Sequence, residues 1–254
     1  MNLGRSANPA LNTNTFTGVF EKTGTEVMTL QGAVNKVFIM LFLLIFAAAY
    51  TWSKVYVSPE AINPAASSPW IMGGAIGGFI VALITIFKKS WSAITVPIYS
   101  VLEGLFLGGL SALFEAQFPG IVMKAVALTF ATLFSLLFAY KSGLIKPTEN
   151  FKLGVVAATG GIALAYLVTF ILGFFGINAG FMYDSSPLSI GISLIIVVVA
   201  ALNLVLDFDF IEQGAKAGVP KYMEWYAAFG LVVTLIWLYI ELLRLLSKLA
   251  NRRN

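Results

Sequence analysis

Residues 188–211 read LSIGISLIIVVVAALNLVLDFDFI, and the first charged side chain in this stretch is Asp207. The hydrocarbon core of a bilayer is about 30 Å thick and takes about 20 apolar residues of helix. Six further apolar stretches of similar length are separated by short breaks that carry Pro, Gly, Asn or charge. The pattern predicts an all-α integral membrane protein, a bundle of seven transmembrane helices. The other predicted spans are residues 34–52, 70–87, 94–114, 121–140, 153–175 and 225–246.

The composition agrees with this class of protein. Of 254 residues, 59% are hydrophobic and 11% are charged, whereas a soluble domain is about half apolar and about a quarter charged. The net charge of +4 is spread over loops and tails, so nucleic-acid binding is not predicted. The chain has no histidine, which excludes His-based zinc and haem sites and Ser-His hydrolase chemistry. No Gly-x-Ser-x-Gly or Gly-x-Gly-Asp motif occurs, so neither an enzyme nor a cofactor is predicted.

The predicted organisation is a flexible polar arm, residues 1–32, followed by one transmembrane domain, residues 33–254. Lysine and arginine favour the arm and every second loop, which predicts a multi-pass protein with a cytoplasmic N-terminus. Seven crossings place the C-terminal Lys248, Arg252 and Arg253 outside, against this rule, whereas a last segment that folds back keeps them inside. Seven crossings are favoured because early segments usually dominate orientation. The basic residues counted on the cytoplasmic side are Arg5, Lys22, Lys36, Lys88, Lys89, Lys141, Lys146, Lys152, Lys216 and Lys221.

Two predicted spans carry glycines four residues apart. The second span contains Gly74 and Gly78, and the third contains Gly104 and Gly108. Gly-x-x-x-Gly lets two helix backbones approach closely in a membrane. In a chain with several spans this spacing favours packing between helices of one molecule over a dimer interface.

Four acidic residues lie inside predicted spans: Glu103, Asp207, Asp209 and Glu241. A carboxylate near the bilayer centre costs about 2.5 to 3.5 kcal/mol on insertion scales, so each needs a compensating contact or a function. Arg244 follows Glu241 by three residues on the same helical face, which predicts a structural ion pair. Glu103 has no basic residue nearby in sequence and is expected to face the bundle interior.

The two aspartates of the sixth span point to opposite faces, because two residues are about 200° apart on a helix. Asn203 lies one turn before Asp207, and this face is expected to look inward. Asp209 shares its face with Glu212 and is expected near cytoplasmic water, where a helix end meets the interface. Clustered carboxylates also suit a proton relay or a calcium site, and Asp207 and Asp209 are its candidate ligands.

Four segments resemble the bacterial YccA-like branch of the Bax inhibitor-1 family. They are residues 102–108, LEGLFLG; 202–207, LNLVLD; 225–230, WYAAFG; and 240–246, IELLRLL. The resemblance implies a fold in which the other six helices surround the last, in the bacterial cytoplasmic (inner) membrane. It also implies a pH-sensitive calcium leak gated by two aspartates, one on the sixth helix and one on the seventh.

Asp207 matches the first aspartate of the family, whereas Thr234 stands where the second is expected. Asp209, Glu103 and Glu241 are the candidates to replace the missing carboxylate. Calcium is expected as the transported ion rather than as a cofactor. The resemblance also implies an alternative: a non-conducting regulator whose polar arm binds and restrains a membrane-bound AAA protease.

Overall fold

The computed structural model describes residues 26–58, 61–176 and 184–252. Residues 1–25 of the predicted arm and Arg253 lie outside the described residues. Within these residues, seven helices are long and apolar enough to cross a membrane, so the predicted fold class is confirmed. The helices are α1 Leu30–Val55, α2 Ser68–Phe87, α3 Ser92–Gln117, α4 Ile121–Lys141, α5 Glu149–Phe174, α6 Pro187–Ala217 and α7 Met223–Asn251.

The connections are short. Two strands, β1 Tyr56–Ser58 and β2 Ala61–Ile62, pair antiparallel between α1 and α2. Short 3-10 turns at Pro64–Ser67 and Lys89–Trp91 lead into α2 and α3. The break predicted between α5 and α6 lies largely outside the described residues, and several helices extend a few residues beyond the apolar stretches that predicted them, as α6 does to Ala217.

Local sequence explains several helix ends. Thr29 and Thr148 are the N-caps of α1 and α5, and their side chains accept hydrogen bonds from backbone N–H groups two or three residues into each helix. Gly218, with φ +63°, ends α6 in the left-handed region that glycine adopts without strain. The sixth helix therefore continues well past Asp209, whereas the sequence predicted that the acidic pair stands at its end.

The described chain forms two compact units, and the first comprises residues 26–122 and 211–232. In this unit α3 packs against both α1 and α2. A Cβ atom on Gly74 would lie 2.6 Å from the Leu102 backbone oxygen of α3. A Cβ on Gly104 or Gly108 would meet the backbone of α1 in the same way. The predicted role of the glycines in packing within one molecule is confirmed.

The second unit comprises residues 123–210 and 233–252, which include α4, α5 and the greater parts of α6 and α7. Buried residues make up 72% of the membrane-length window of α7, more than in any of the other six spans. The central place implied for the last helix stays a prediction. In α5 the buried share is only 6%, so most of this helix is an apolar surface suited to lipid.

Candidate ion path

Asp207 is completely buried, with 0% of its surface exposed, in the middle of α6. Asn203, one turn earlier, is also buried; its Nδ2 donates to Thr159 Oγ1 at 2.8 Å and to the Val199 carbonyl at 2.9 Å. Thr234, the position at which the family resemblance expects an aspartate, is buried on α7. These positions lie in the second unit, which places a polar set inside apolar, membrane-length helices.

Asp209 is buried too, and it has a basic partner. Lys152 Nζ lies 2.8 Å from Asp209 Oδ2, and the two side chains are 7% and 10% exposed. The Tyr140 hydroxyl lies 3.5 Å from Asp209 Oδ1, and Glu149 is 3.6 Å from the same lysine. The prediction that Asp209 faces cytoplasmic water is therefore wrong, because α6 continues past this residue and Lys152 covers its carboxylate.

Glu212, the residue that was expected to share the wet face with Asp209, is half-exposed. Its carboxylate pairs with Lys216 one turn later on α6, and the lysine is exposed. The expected exposure of Glu212 is thus confirmed, and its position on the cytoplasmic side stays a prediction. Of the two residues on this predicted face, only the one nearer the helix end reaches solvent.

Glu241 and Arg244 lie on α7, where the spacing predicts an ion pair. Arg244 Nη1 is 3.2 Å from Glu241 Oε1. The Tyr166 hydroxyl of α5 donates to the same oxygen at 2.9 Å, and the guanidinium lies over the Tyr166 ring. Glu241 is buried, whereas Arg244 is partly exposed. Two helices thus fix this carboxylate through a charged and a neutral donor.

Glu103 belongs to the other unit, on α3. It is half-buried and packs against α2, where a Cβ on Gly78 would lie 2.7 Å from Glu103 Oε1. Tyr99, one turn earlier, makes a side-chain hydrogen bond with it. Glu103 thus contacts α2, and its predicted place in the bundle interior stays a prediction. Glu103 is nevertheless in a different unit from Asp207, Asp209 and Glu241.

Two buried lysines have the appearance of loop or tail residues in the sequence, so the sequence does not predict them as partners. Lys152 was counted as a basic loop residue, yet it lies in the first turn of α5 and is buried. Lys248 was counted in the C-terminal tail, yet its Nζ donates to Ser189 Oγ at 2.8 Å and to Ser193 Oγ at 2.7 Å. The sequence feature that could have indicated these contacts is a lysine at the edge of an apolar stretch, and this feature does not identify the residue that the lysine contacts.

The chemistry of these positions suits a hard cation, which prefers oxygen ligands. Asn203 Oδ1 and Glu241 Oε2 are buried acceptors with no hydrogen-bond partner in the described part of the chain. Within the same residues, no group of three or more acidic side chains is close enough to hold a metal ion together. The polar residues therefore form separate sites rather than one preformed metal-binding site. The metal site predicted at Asp207 and Asp209 stays a prediction.

Comparison with known families gives a match that covers nearly the whole chain. A family model described as Bax inhibitor 1 like matches residues 8–251, which is nearly the whole chain. No curated protein matches the sequence. The YccA-like branch within the family stays a prediction. The extent of the match, together with seven membrane-length helices, shows that the chain is a multi-pass membrane protein that belongs to the Bax inhibitor 1 like family.

Proposed function

We propose that the protein is a pH-sensitive leak for calcium, gated by carboxylates inside the membrane. The observation that carries the proposal is the burial of Asp207, Asp209 and Glu241 in membrane-length helices of one unit. Each such charge costs about 2.5 to 3.5 kcal/mol on insertion scales. Stability alone is served better by apolar side chains at these places, so an ion or proton path is the function that the arrangement supports best.

The contact between Lys152 and Asp209 supports a closed gate. The ammonium group is a cation tethered to α5, and it occupies the carboxylate that a passing cation would need. Loss of the Asp209 charge releases Lys152, so the pair is one element that holds the proposed path closed.

Asp207 is the second element of the proposed gate. It matches the first family aspartate, and Thr234 replaces the other. A hydroxyl does not titrate in the physiological range, so Asp207 has to respond to protons without the family partner. Asp209 and Glu241 are buried in the same unit as Asp207, and they are the candidates to substitute for the missing aspartate.

Calcium entry into dye-loaded liposomes that contain the purified protein tests the proposal. We expect the parent to conduct in a pH-dependent manner between about pH 6 and pH 8, and Asp207→Asn to leak at every pH. Thr234→Asp should sharpen the pH dependence, because two interacting carboxylates titrate as a coupled pair. Glu212→Gln is the matched control, since this half-exposed carboxylate lies on the same helix. An Asp207→Asn profile that matches the parent refutes the gating role.

The alternative, a non-conducting regulator of a membrane-bound AAA protease, is favoured by one feature of the first unit. Residues 26–29, which belong to the described part of the predicted arm, are hydrogen-bonded to the loop between α6 and α7. A partner that binds the arm thus has a direct connection to the folded protein. Deletion of residues 2–25 distinguishes the two functions: the regulator loses its effect on proteolysis, whereas a leak through the helices persists.

A further inference from the structure

The segment before α1 is attached to the segment before α7 by backbone pairing. Met28 N donates to the Val219 carbonyl at 2.7 Å, and Lys221 N donates to the Glu26 carbonyl at 2.9 Å. These two bonds flank the antiparallel bridge between Val27 and Pro220. The bridge is therefore a non-hydrogen-bonded pair, in which the missing N–H of proline removes no bond.

The inner end of this segment is held by a buried carboxylate, Glu224, in the first turn of α7. Glu224 is 1% exposed. Its Oε1 accepts hydrogen bonds from both the N–H and the hydroxyl of Thr29, each at 3.0 Å, and Lys36 Nζ lies 3.5 Å from Oε2. Thr29 is itself the N-cap of α1. One carboxylate thus lies at the N-termini of two helices, where negative charge is stabilised by both dipoles.

Gly32 shows how closely the carboxylate fits. A Cβ atom at this position would overlap the Glu224 carboxylate group. Any larger residue at position 32 must therefore displace Glu224 from Thr29. By contrast, a Cβ on Gly73, a glycine inside α2, meets nothing within 4 Å. The two glycines provide a matched pair of substitutions, one that displaces the carboxylate and one that does not.

The outer end of the segment is held more weakly. Glu26 and Lys221 form an ion pair, but both side chains are more than half exposed. Exposed ion pairs contribute little to stability. The segment is thus held firmly at Glu224 and weakly at Glu26. Glu26 is the end that connects to residues 1–25.

We propose that residues 26–29 form a strap, seated by Glu224, which while seated holds the first turn of α7 in place and restrains the leak. The effect on the leak rests on the proposed function, whereas the contact between the strap and Glu224 does not depend on it. α7 also carries Thr234 and Glu241, so a shift of its first turn acts on the helix that contributes to the candidate path. Displacement of the strap from its seat is the regulatory event.

The seating is tested by thiol labelling, since the natural chain has no cysteine. Met28 is 2% exposed, so Met28→Cys should react slowly with a polar maleimide while the strap is seated. We expect Gly32→Ala or Glu224→Ala to raise its labelling rate at least about tenfold, the equivalent of about 1.4 kcal/mol of lost stabilisation. Gly73→Ala should leave the rate unchanged. Equal rates in all these backgrounds overturn the proposal.

A milder variant and a second thiol position test whether the loss of protection follows the contact with Glu224 and whether it extends to α7. Glu224→Gln keeps an acceptor for Thr29 but loses the charge near Lys36, so labelling should rise less than with Glu224→Ala. Met223 is completely buried at the start of α7, and Met223→Cys should become reactive in the Gly32→Ala background. Protection of Met223→Cys while Met28→Cys reacts refutes the claim that the strap holds α7.

The restraint on conduction is tested by locking the strap. The Cα atoms of a non-hydrogen-bonded pair are about 4.5 Å apart, within the range that a disulfide spans. Val27→Cys combined with Pro220→Cys should therefore cross-link on oxidation and reduce calcium flux into liposomes, and reduction should restore the flux. Gly32→Ala should increase flux. Unchanged flux in a conducting protein overturns the restraint, whereas a parent that does not conduct refutes the proposed function and leaves the labelling to decide the seating.

Discussion

The ion pair between Lys152 and Asp209 permits a quantitative test of the candidate path. At 2.8 Å, two unit charges attract by about 6 kcal/mol at an effective dielectric constant of about 20, before the cost of desolvation is subtracted. Removal of one member of a buried pair typically costs about 3–5 kcal/mol, because the other charge is left uncompensated. We therefore expect Lys152→Met and Asp209→Asn each to lower the free energy of unfolding by about this amount.

The double variant separates pairing from packing. Lys152→Met combined with Asp209→Asn leaves no buried charge, so its loss of stability should be smaller than that of either single variant. The free energy of unfolding is measured by titration with a denaturing detergent in mixed micelles. Lys216→Met is the control, because its exposed pair with Glu212 should contribute only about 0.3–0.5 kcal/mol. Additive losses in the double variant would refute the reasoning.

Three further predictions concern other contacts. Gly74→Ala should destabilise the protein by about 1–3 kcal/mol in the same titration, because its Cβ would meet α3 backbone, whereas Gly73→Ala should not destabilise it. Lys248→Met should cost about 1–3 kcal/mol, since buried serine oxygens lose their donor. The hydrogen bond and charge of Lys221 lower the pKa of Glu26 from 4.5, and Glu26 raises the pKa of Lys221 from 10.5. Their contribution to the strap is therefore complete between these two values. The labelling rate of Met28→Cys, divided by that of a free thiol at the same pH, should increase slightly as the pH falls below 4.5 through the pKa of Glu26, and again as it rises above 10.5 through that of Lys221.

The membrane fold could be read from the sequence because hydropathy is a local property. A stretch such as residues 188–211 has no soluble alternative, since a run of apolar side chains of this length spans a bilayer whatever its neighbours are. The glycine spacing of α2 and α3 was equally informative. A missing side chain permits close approach of helices, and repetition at four residues puts both gaps on one helix face.

The positions of buried charges were partly predictable. The cost of a charge in the membrane singled out Asp207, Asp209 and Glu241 before any contact was known. The partner of Glu241 was predictable as well, because Arg244 lies on the same helix and helical geometry determines which residues share a face. Contacts within one helix follow from its period.

Only the tertiary structure decided the partners that come from other helices. Lys152 faces Asp209 across two helices, and Thr29 meets Glu224 although 195 residues separate them in the chain. No sequence period relates such residues, and a lysine or glutamate near the end of an apolar stretch looks the same whether it faces water or a buried partner. The packing of helices against one another brings these charges together, so the proposed gate and the proposed strap depend on the folded chain.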